Sequence, residues 1–265
     1  MALVRKVLVL GFLALAACAG EDIDEEPTTE SEAALAATAY QLSDEEALAT
    51  RTRGDCELKA GDLVFHRSLS EQAGAIAYLT QSQLTHVGVV FKVAGAWNVY
   101  EAVGPVKITP LESWIGRGQG KKFAASRYKS DLPAKTVKAL FEAGKPFYGK
   151  PYDLLFTEGD DKIYCSELAL KMYERASVSL ISFFWSSQFS GLWKRVDRLA
   201  GWSKFEQELA SPADSSDEKL VKKIMAARGV DAREFASQVL VAPVSLSSKE
   251  ESGGVFRQTC AFGTH

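Results

Sequence analysis

Apolar and polar positions change period several times along the chain, and each change marks an element. In "LKAGDLVFHRS" a turn at Gly61 and Asp62 leads into an apolar run, Leu63 to His66, of strand length. "SEQAGAIAYLTQS" shifts to helical spacing, with Ser70 at the cap position and Glu71 early in the helix. "THVGVVFKV" and "WNVYEAV" are β-branched and aromatic runs on either side of "AGA", the pattern of a β-hairpin. "PLESWIG" predicts a short helical turn and "FAASRYK" another strand. "PAKTVKALFEAGKPF" predicts an amphipathic helix, with Pro133 at its start and Gly144 near its end. "YGKPYDLLFTEGDDK" reads as a loop, "SELALKMYERA" as a helix, and the late "SQVLVAPVSL" as a returning strand. Helices among antiparallel strands give an α+β class, and no internal repeat is visible.

The first fifty residues break this pattern. "MALVRKVLVLGFLALAAC" has a basic start, an apolar run from Val7 to Ala17 and small residues before Cys18. That run is short of the roughly 20 apolar residues of a spanning helix, so residues 1–17 read as a signal peptide. "LAAC" resembles a bacterial lipobox, which makes Cys18 the expected lipidation site; an ordinary cleaved signal with an incidental cysteine is the alternative. From Ala19 to Thr50 there are ten acidic residues and no Lys or Arg. Lacking large apolar residues, positions 18–50 are expected to form a disordered acidic tether, within which "SDEEALAT" could make a short capped helix. The folded part is expected to begin at Arg51 and run to His265. With the first fifty residues set aside, 29 basic and 24 acidic residues remain, so this part carries about +5. A modestly basic domain suits an anionic envelope surface, although scattered solvated charge would look the same.

Residues 176–229 look like a helical elaboration. "LISFFWSSQFSGLWKRVDRLAGWSKF" is dense in aromatics: Phe183, Phe184, Trp185, Phe189, Trp193, Trp202 and Phe205. These could wall an apolar substrate pocket, form a membrane-interface patch, or simply pack as core.

Cysteine accounting narrows the chemistry. With Cys18 assigned to lipid, Cys56, Cys165 and Cys260 are left in an oxidising compartment. Cys56 and Cys260 lie near the two ends of the folded part, and domain ends are often close, so a bridge between them is expected. Cys165 would then be an odd free thiol, worth reading as reactive; a pairing that uses Cys165 stays open.

A cysteine attacks as thiolate, and a helix N-terminus favours that form through its free N–H groups and dipole. Cys165 sits directly before "SELALKMYERA". A base is also needed, and the chain has three histidines: His66, His86 and the terminal His265. His86 is the better candidate, because Gly88 follows it and permits close backbone approach. If the hairpin turns through two or four residues centred on Ala94 and Gly95, paired positions sum to 189. Glu101 then lies diagonal to His86 on the same face, where it could fix the imidazole tautomer. A three-residue turn would put Glu101 on the other face.

"GDLVFH", "LTHVGVVF", "VYEAVGPVKITPLESWI", "GKPYD" and "YCSELALKMY" stand in the order and spacing of the YiiX-like proteins, which the chain resembles over roughly Leu58 to Val244. These are circularly permuted members of the NlpC/p60 papain-like superfamily. The resemblance implies a papain-like α+β domain with Cys165 as nucleophile, His86 as general base and Glu101 as orienting acid. It also implies that Asp62 shapes the turn before the first strand and, with Tyr164 and His66, belongs to the substrate or oxyanion side of the site. Tyr164 would line the site or join the Cys165 N–H in an oxyanion hole. His66 stands where the family suggests glutamine, and it would border the pocket.

The expected function is that of a cell-envelope cysteine hydrolase that cleaves an amide, such as a peptidoglycan peptide, through an acyl-thioester. Lipid-directed acyl hydrolysis or transfer, favoured by the aromatic region, and a non-catalytic binding module on the same fold are the alternatives. The expected partners are an envelope substrate and a membrane reached through Cys18, and the expected location is the periplasmic side of the outer membrane. Ala19 after Cys18 resembles outer-membrane lipoproteins. There is no HExxH, no CxxC pair and no Gly-rich phosphate loop, so no metal, cofactor or nucleic acid is expected. "EGDDK" lacks the EF-hand pattern and reads as a turn.

Overall fold

The structure, a computed structural model, describes residues 39–157, 159–180, 201–237, 241–248 and 251–265. Its centre is a six-stranded antiparallel sheet in the order β6-β5-β4-β3-β7-β8. The strands are β3 (Leu63–His66), β4 (His86–Val93), β5 (Ala96–Ala102), β6 (Val106–Pro110), β7 (Phe123–Tyr128) and β8 (Phe256–Gly263). A separate ribbon pairs β1 (Thr50–Arg53) with β2 (Cys56–Lys59).

Period-2 alternation decides which face each strand residue enters. Leu63, Phe65, Val87, Val89, Phe91 and Tyr100 point to one side, where helices α4 (Ala134–Gly144) and α5 (Cys165–Arg175) cover them with Phe141, Leu168 and Met172. Val64, Val90 and Val99 point to the other side and pack on Trp114 and Ile115 of α3 (Leu111–Arg117). A satellite core joins α2 (Glu71–Thr80) to α6 (Trp202–Ala210), α7 (Ser216–Arg228) and α8 (Ala232–Ser237) through Leu79, Phe205, Val221 and Phe235.

The β4–β5 hairpin turns through Ala94 and Gly95, both at positive φ, as a two-residue turn matched to strand twist requires. Its register pairs Val89 with Tyr100 and Val93 with Ala96, which is the expected sum of 189. Gly88 leaves no room for a side chain against β5. A Cβ there would meet Val99 Cγ1 at 2.3 Å and the Tyr100 carbonyl oxygen at 2.9 Å.

Two expectations are corrected. The folded part starts before Arg51: helix α1 (Asp44–Ala47) is capped by Ser43 and docks with Leu42, Glu46 and Ala47 buried. Leu42 and Ala47 supply the apolar contact that an all-acidic reading of residues 18–50 overlooks. "SQVLVAPVSL" is not the returning strand, since Pro243–Leu246 is a 3-10 turn, in keeping with a proline that cannot donate to a ladder. That strand is β8, which pairs with β7 at the sheet edge. Of the aromatic region, Phe183, Phe184, Trp185, Phe189 and Trp193 lie outside the described residues, as does the side chain of Trp202, while Phe205 is buried in the satellite core.

Candidate active site

Strand ends and one helix start assemble the site. His86 is the first residue of β4 and Glu101 the penultimate residue of β5, and the hairpin register brings them to the same end and face of the sheet. His86 Nε2 and Glu101 Oε2 are 2.6 Å apart. Nε2 is thereby engaged, which leaves the other edge of the ring for Cys165, whose ionisation the imidazole influences. Cys165 is the first residue of α5, with Tyr164 as its N-cap, so the sulfur sits at the positive end of the helix.

Each ionisation follows from these neighbours. Burial opposes a thiolate at Cys165, but the hydrogen bond and charge of His86, helped by the Tyr152 hydroxyl, outweigh it and hold the thiol below its ordinary value. Burial likewise opposes the imidazolium. Hydrogen bonds to Cys165 and Glu101 more than offset it, and His86 is raised to about 9. Burial would also neutralise Glu101, which is fully inaccessible, yet His86, Arg117 and Thr109 hold its carboxyl at about 2. Glu101 Oε1 accepts from Thr109 Oγ1 at 2.6 Å and from Arg117 Nη2 at 2.5 Å. The constellation can therefore hold a thiolate beside an imidazolium whose orientation a buried carboxylate fixes.

The loop between α4 and α5 brings in Tyr152. Ile163 N–H donates to the Pro151 carbonyl at 3.1 Å and Asp153 N–H to the Ile163 carbonyl at 3.3 Å, so this loop runs beside the residues preceding Cys165. The buried Asp153 carboxylate accepts from the Leu155 N–H and the Thr157 hydroxyl and secures the turn. Tyr152 Oη then lies 3.7 Å from Cys165 Sγ.

The remaining sequence candidates separate. His66 pairs directly with His86 across β3 and β4, with ring centroids 5.0 Å apart, and stacks on Trp114 at 4.2 Å. It is buried and lines neither opening beside Cys165, which corrects its placement at a pocket border. Burial and then the charge of His86 depress it to about 3, so it stays neutral. Gly118 covers it: a Cβ there would lie 2.9 Å from His66 Nδ1. Tyr164 lines an apolar pocket, its ring against Phe156. Asp62 is outside the site. It precedes β3, at the end of that strand away from His66, where it accepts from the Lys59 N–H and binds Arg127 through both oxygens, at 2.9 and 2.8 Å. Cys56 and Cys260 are joined in a disulfide, and Cys165 is a buried free thiol.

Sequence reasoning missed Tyr152, Thr109 and Arg117. Tyr152 stands inside the quoted "GKPYD". Thr109 lies on β6 two positions beyond Lys107, the cross-strand partner of Glu101, so a register for β5 and β6 would have put it near the carboxylate. Arg117 had no local signal, since only the return of α3 toward β5 places it there.

Two openings flank Cys165. One, about 600 Å3 counted out to open solvent, is walled by Ile76, Leu79, Phe156, Tyr164, Phe235 and Val241. The other is a smaller groove bordered by His86 and Tyr152. Among the described residues no group of three or more His, Cys, Asp or Glu side chains forms a cation site, and no helix is long and apolar enough to cross a membrane.

A family model described as permuted papain-like amidase enzyme, YaeF/YiiX, C92 family, matches residues 57–189. The uncharacterized protein YiiX of Escherichia coli strain K12 is 38% identical over 118 residues, 44% of this chain and 58% of that protein. A crystal structure described as metalloprotein yiiX from Escherichia coli O157:H7 is 39% identical over 44% of this chain and 65% of that one, with a TM-score of 0.43. The chain thus spans less than two thirds of either relative.

Proposed function

Because the chain belongs to the C92 family of permuted papain-like amidases, we propose that it hydrolyses an amide of the cell envelope with Cys165 as nucleophile, His86 as general base and Glu101 as the group that orients His86. One arrangement carries the reading: a cysteine at a helix start whose thiol is held below its ordinary value by a histidine, with that histidine's Nε2 held 2.6 Å from a buried carboxylate. The thiolate attacks the carbonyl carbon, and the imidazolium gives its proton to the departing nitrogen. The acyl group remains on sulfur as a thioester. Neutral His86 then takes a proton from water, the hydroxide adds, and the thiolate leaves. In this reading the Cys165 N–H at the start of α5 and the Tyr152 hydroxyl, 3.7 Å from the sulfur, donate to the oxyanion. No cofactor enters these steps, and "metalloprotein" describes the E. coli protein alone.

The envelope address rests on the signal-like residues 1–17 and the lipobox-like "LAAC" ending at Cys18, which lie outside the described residues. A peptidoglycan peptide is the first substrate class. A lipid acyl amide or ester is the second, and a specific observation favours it: the larger opening beside Cys165 is walled almost wholly by apolar side chains.

The test is trapping by an acyl-transfer electrophile read by intact mass, comparing wild type with Cys165→Ala, His86→Ala and Glu101→Ala. One adduct per chain is expected in wild type, none in Cys165→Ala, and labelling slowed about a hundredfold in His86→Ala, the usual scale of general-base loss. Equal labelling of wild type and His86→Ala would sink the assignment. Release of amine from peptidoglycan, or of fatty acid from lipid, separates the two substrate classes.

A further inference from the structure

The two openings at the site differ in chemistry. The apolar pocket includes Cys165 in its wall but not His86. The groove, about 340 Å3 counted out to open solvent, includes His86 and Tyr152 but not Cys165, and adds Ser68, Ser70, Gln72 and Thr85. Ile76 of α2 belongs to both, so that helix divides them.

Reaction chemistry gives the site a direction. In thiol-mediated amide cleavage the acyl carbon stays on sulfur, while the imidazolium protonates the nitrogen as the C–N bond breaks. The departing amine must therefore lie on the side where His86 is open. We propose, resting on the Cys165 and His86 roles above, that this groove is the leaving-amine subsite and takes an uncharged amine fragment bearing a hydroxyl or carboxamide.

The walls support that class. Apart from His86, no described residue lining the groove carries a charge. A carboxylate or phosphate on the leaving fragment would lose water there and meet no cation but the His86 imidazolium, whose proton the leaving nitrogen takes, which is costly. A hydroxyl or amide meets groups able both to donate and to accept. The half-buried Gln72 amide makes no side-chain hydrogen bond among the described residues, which leaves both its functions for a ligand. Around it, Ser68 Oγ donates to Ser70 Oγ at 3.1 Å, and Thr85 Oγ1 accepts from the Ser68 N–H at 2.9 Å, which holds the strand-end loop in place. Once the amine has gone, the same groove admits the water that neutral His86 deprotonates.

The experiment uses octanoyl amides of ethanolamine, glycinamide, glycine and ethylenediamine, with octanoyl p-nitrophenyl ester as a probe of acylation. For wild type, kcat/KM for the ethanolamine and glycinamide amides should exceed that for the other two by about tenfold, the worth of one or two satisfied polar contacts. Gln72→Leu and Ser70→Ala should each shrink that ratio, and Gln72→Glu should raise the ethylenediamine amide relative to the rest. If the ester acylates Cys165 while all four amides react within about twofold, or if Gln72→Leu keeps the wild-type preference, the subsite assignment is wrong. If the ester leaves Cys165 unmodified, the nucleophile itself is wrong, and the inference falls with it.

Discussion

Glu101 is a carboxylate with no exposed surface, and such a group stays ionised only where cations and donors replace its water. His86, Thr109 and Arg117 do so, and Arg117 differs from the others in being half in solvent, with 39% of its side chain exposed. It is a positioning residue: with His86 and Thr109 it keeps Glu101 charged, and a charged Glu101 stabilises the imidazolium that in turn stabilises the thiolate. The sign follows directly. Without Arg117, Glu101 binds its proton more readily, the imidazolium loses support, and the thiol of Cys165 rises toward its ordinary value. In Arg117→Met the acidic limb of Cys165 alkylation by iodoacetamide should therefore move up by about 0.5–1 pH unit, and Arg117→Lys should restore most of the shift. A purely structural loss would lower the rate at every pH and leave the limb in place, and that result would remove Arg117 from the relay.

At the scale of elements, the β4–β5 hairpin fixes the distance between base and carboxylate, and Gly88 fixes the hairpin. The closest atom to an added methyl would be Val99 Cγ1, which can rotate away, but the Tyr100 carbonyl oxygen at 2.9 Å is backbone and cannot move without the strand. Gly88→Ala should cost about 1–3 kcal/mol of stability, the range for overpacking, seen as a lower Tm. It should also slow labelling of Cys165, because β4 and β5 carry His86 and Glu101 apart together. Wild-type Tm and wild-type labelling would show that the close approach has no such role. This hairpin was legible in the sequence because two local signals agreed: β-branched runs, and a short turn whose length dictates register. The helix start at Cys165 was legible for the same reason. Arg117 was not, because its partner is set by how α3 packs back across the sheet, and β8 was not, because "FRQTCAFG" interleaves polar residues as an edge strand does. The apolar pocket is equally non-local, drawing on α2, the loop before α5, α8 and residues 241–243.

For the whole molecule, the deciding feature is how the two ends of the folded part are tied. Cys56 on the outer ribbon and Cys260 on the edge strand β8 are bridged across 204 positions, so the disulfide closes most of the described fold into one loop. Around it, Arg51 and Arg53 reach Glu112 at 2.5 and 2.7 Å, and His265 Nδ1 lies 2.5 Å from Asp55. These surface pairs are weak by comparison, since solvent screens them. The bridge acts mainly by restricting the unfolded chain, and for a loop of this length it should contribute about 2–5 kcal/mol. The paired change Cys56→Ser with Cys260→Ser should therefore lower the urea midpoint by the equivalent of that energy. Native protein below the transition should still alkylate at Cys165, because β3, β4, β5 and α5 hold the site without either end. An unchanged midpoint would mean that β8 pairing alone secures the edge. A lost thiol reactivity in protein that remains folded would mean that the bridge reaches the site, through β7 and β3, and the separation argued here between a tied periphery and a self-sufficient catalytic end would fail.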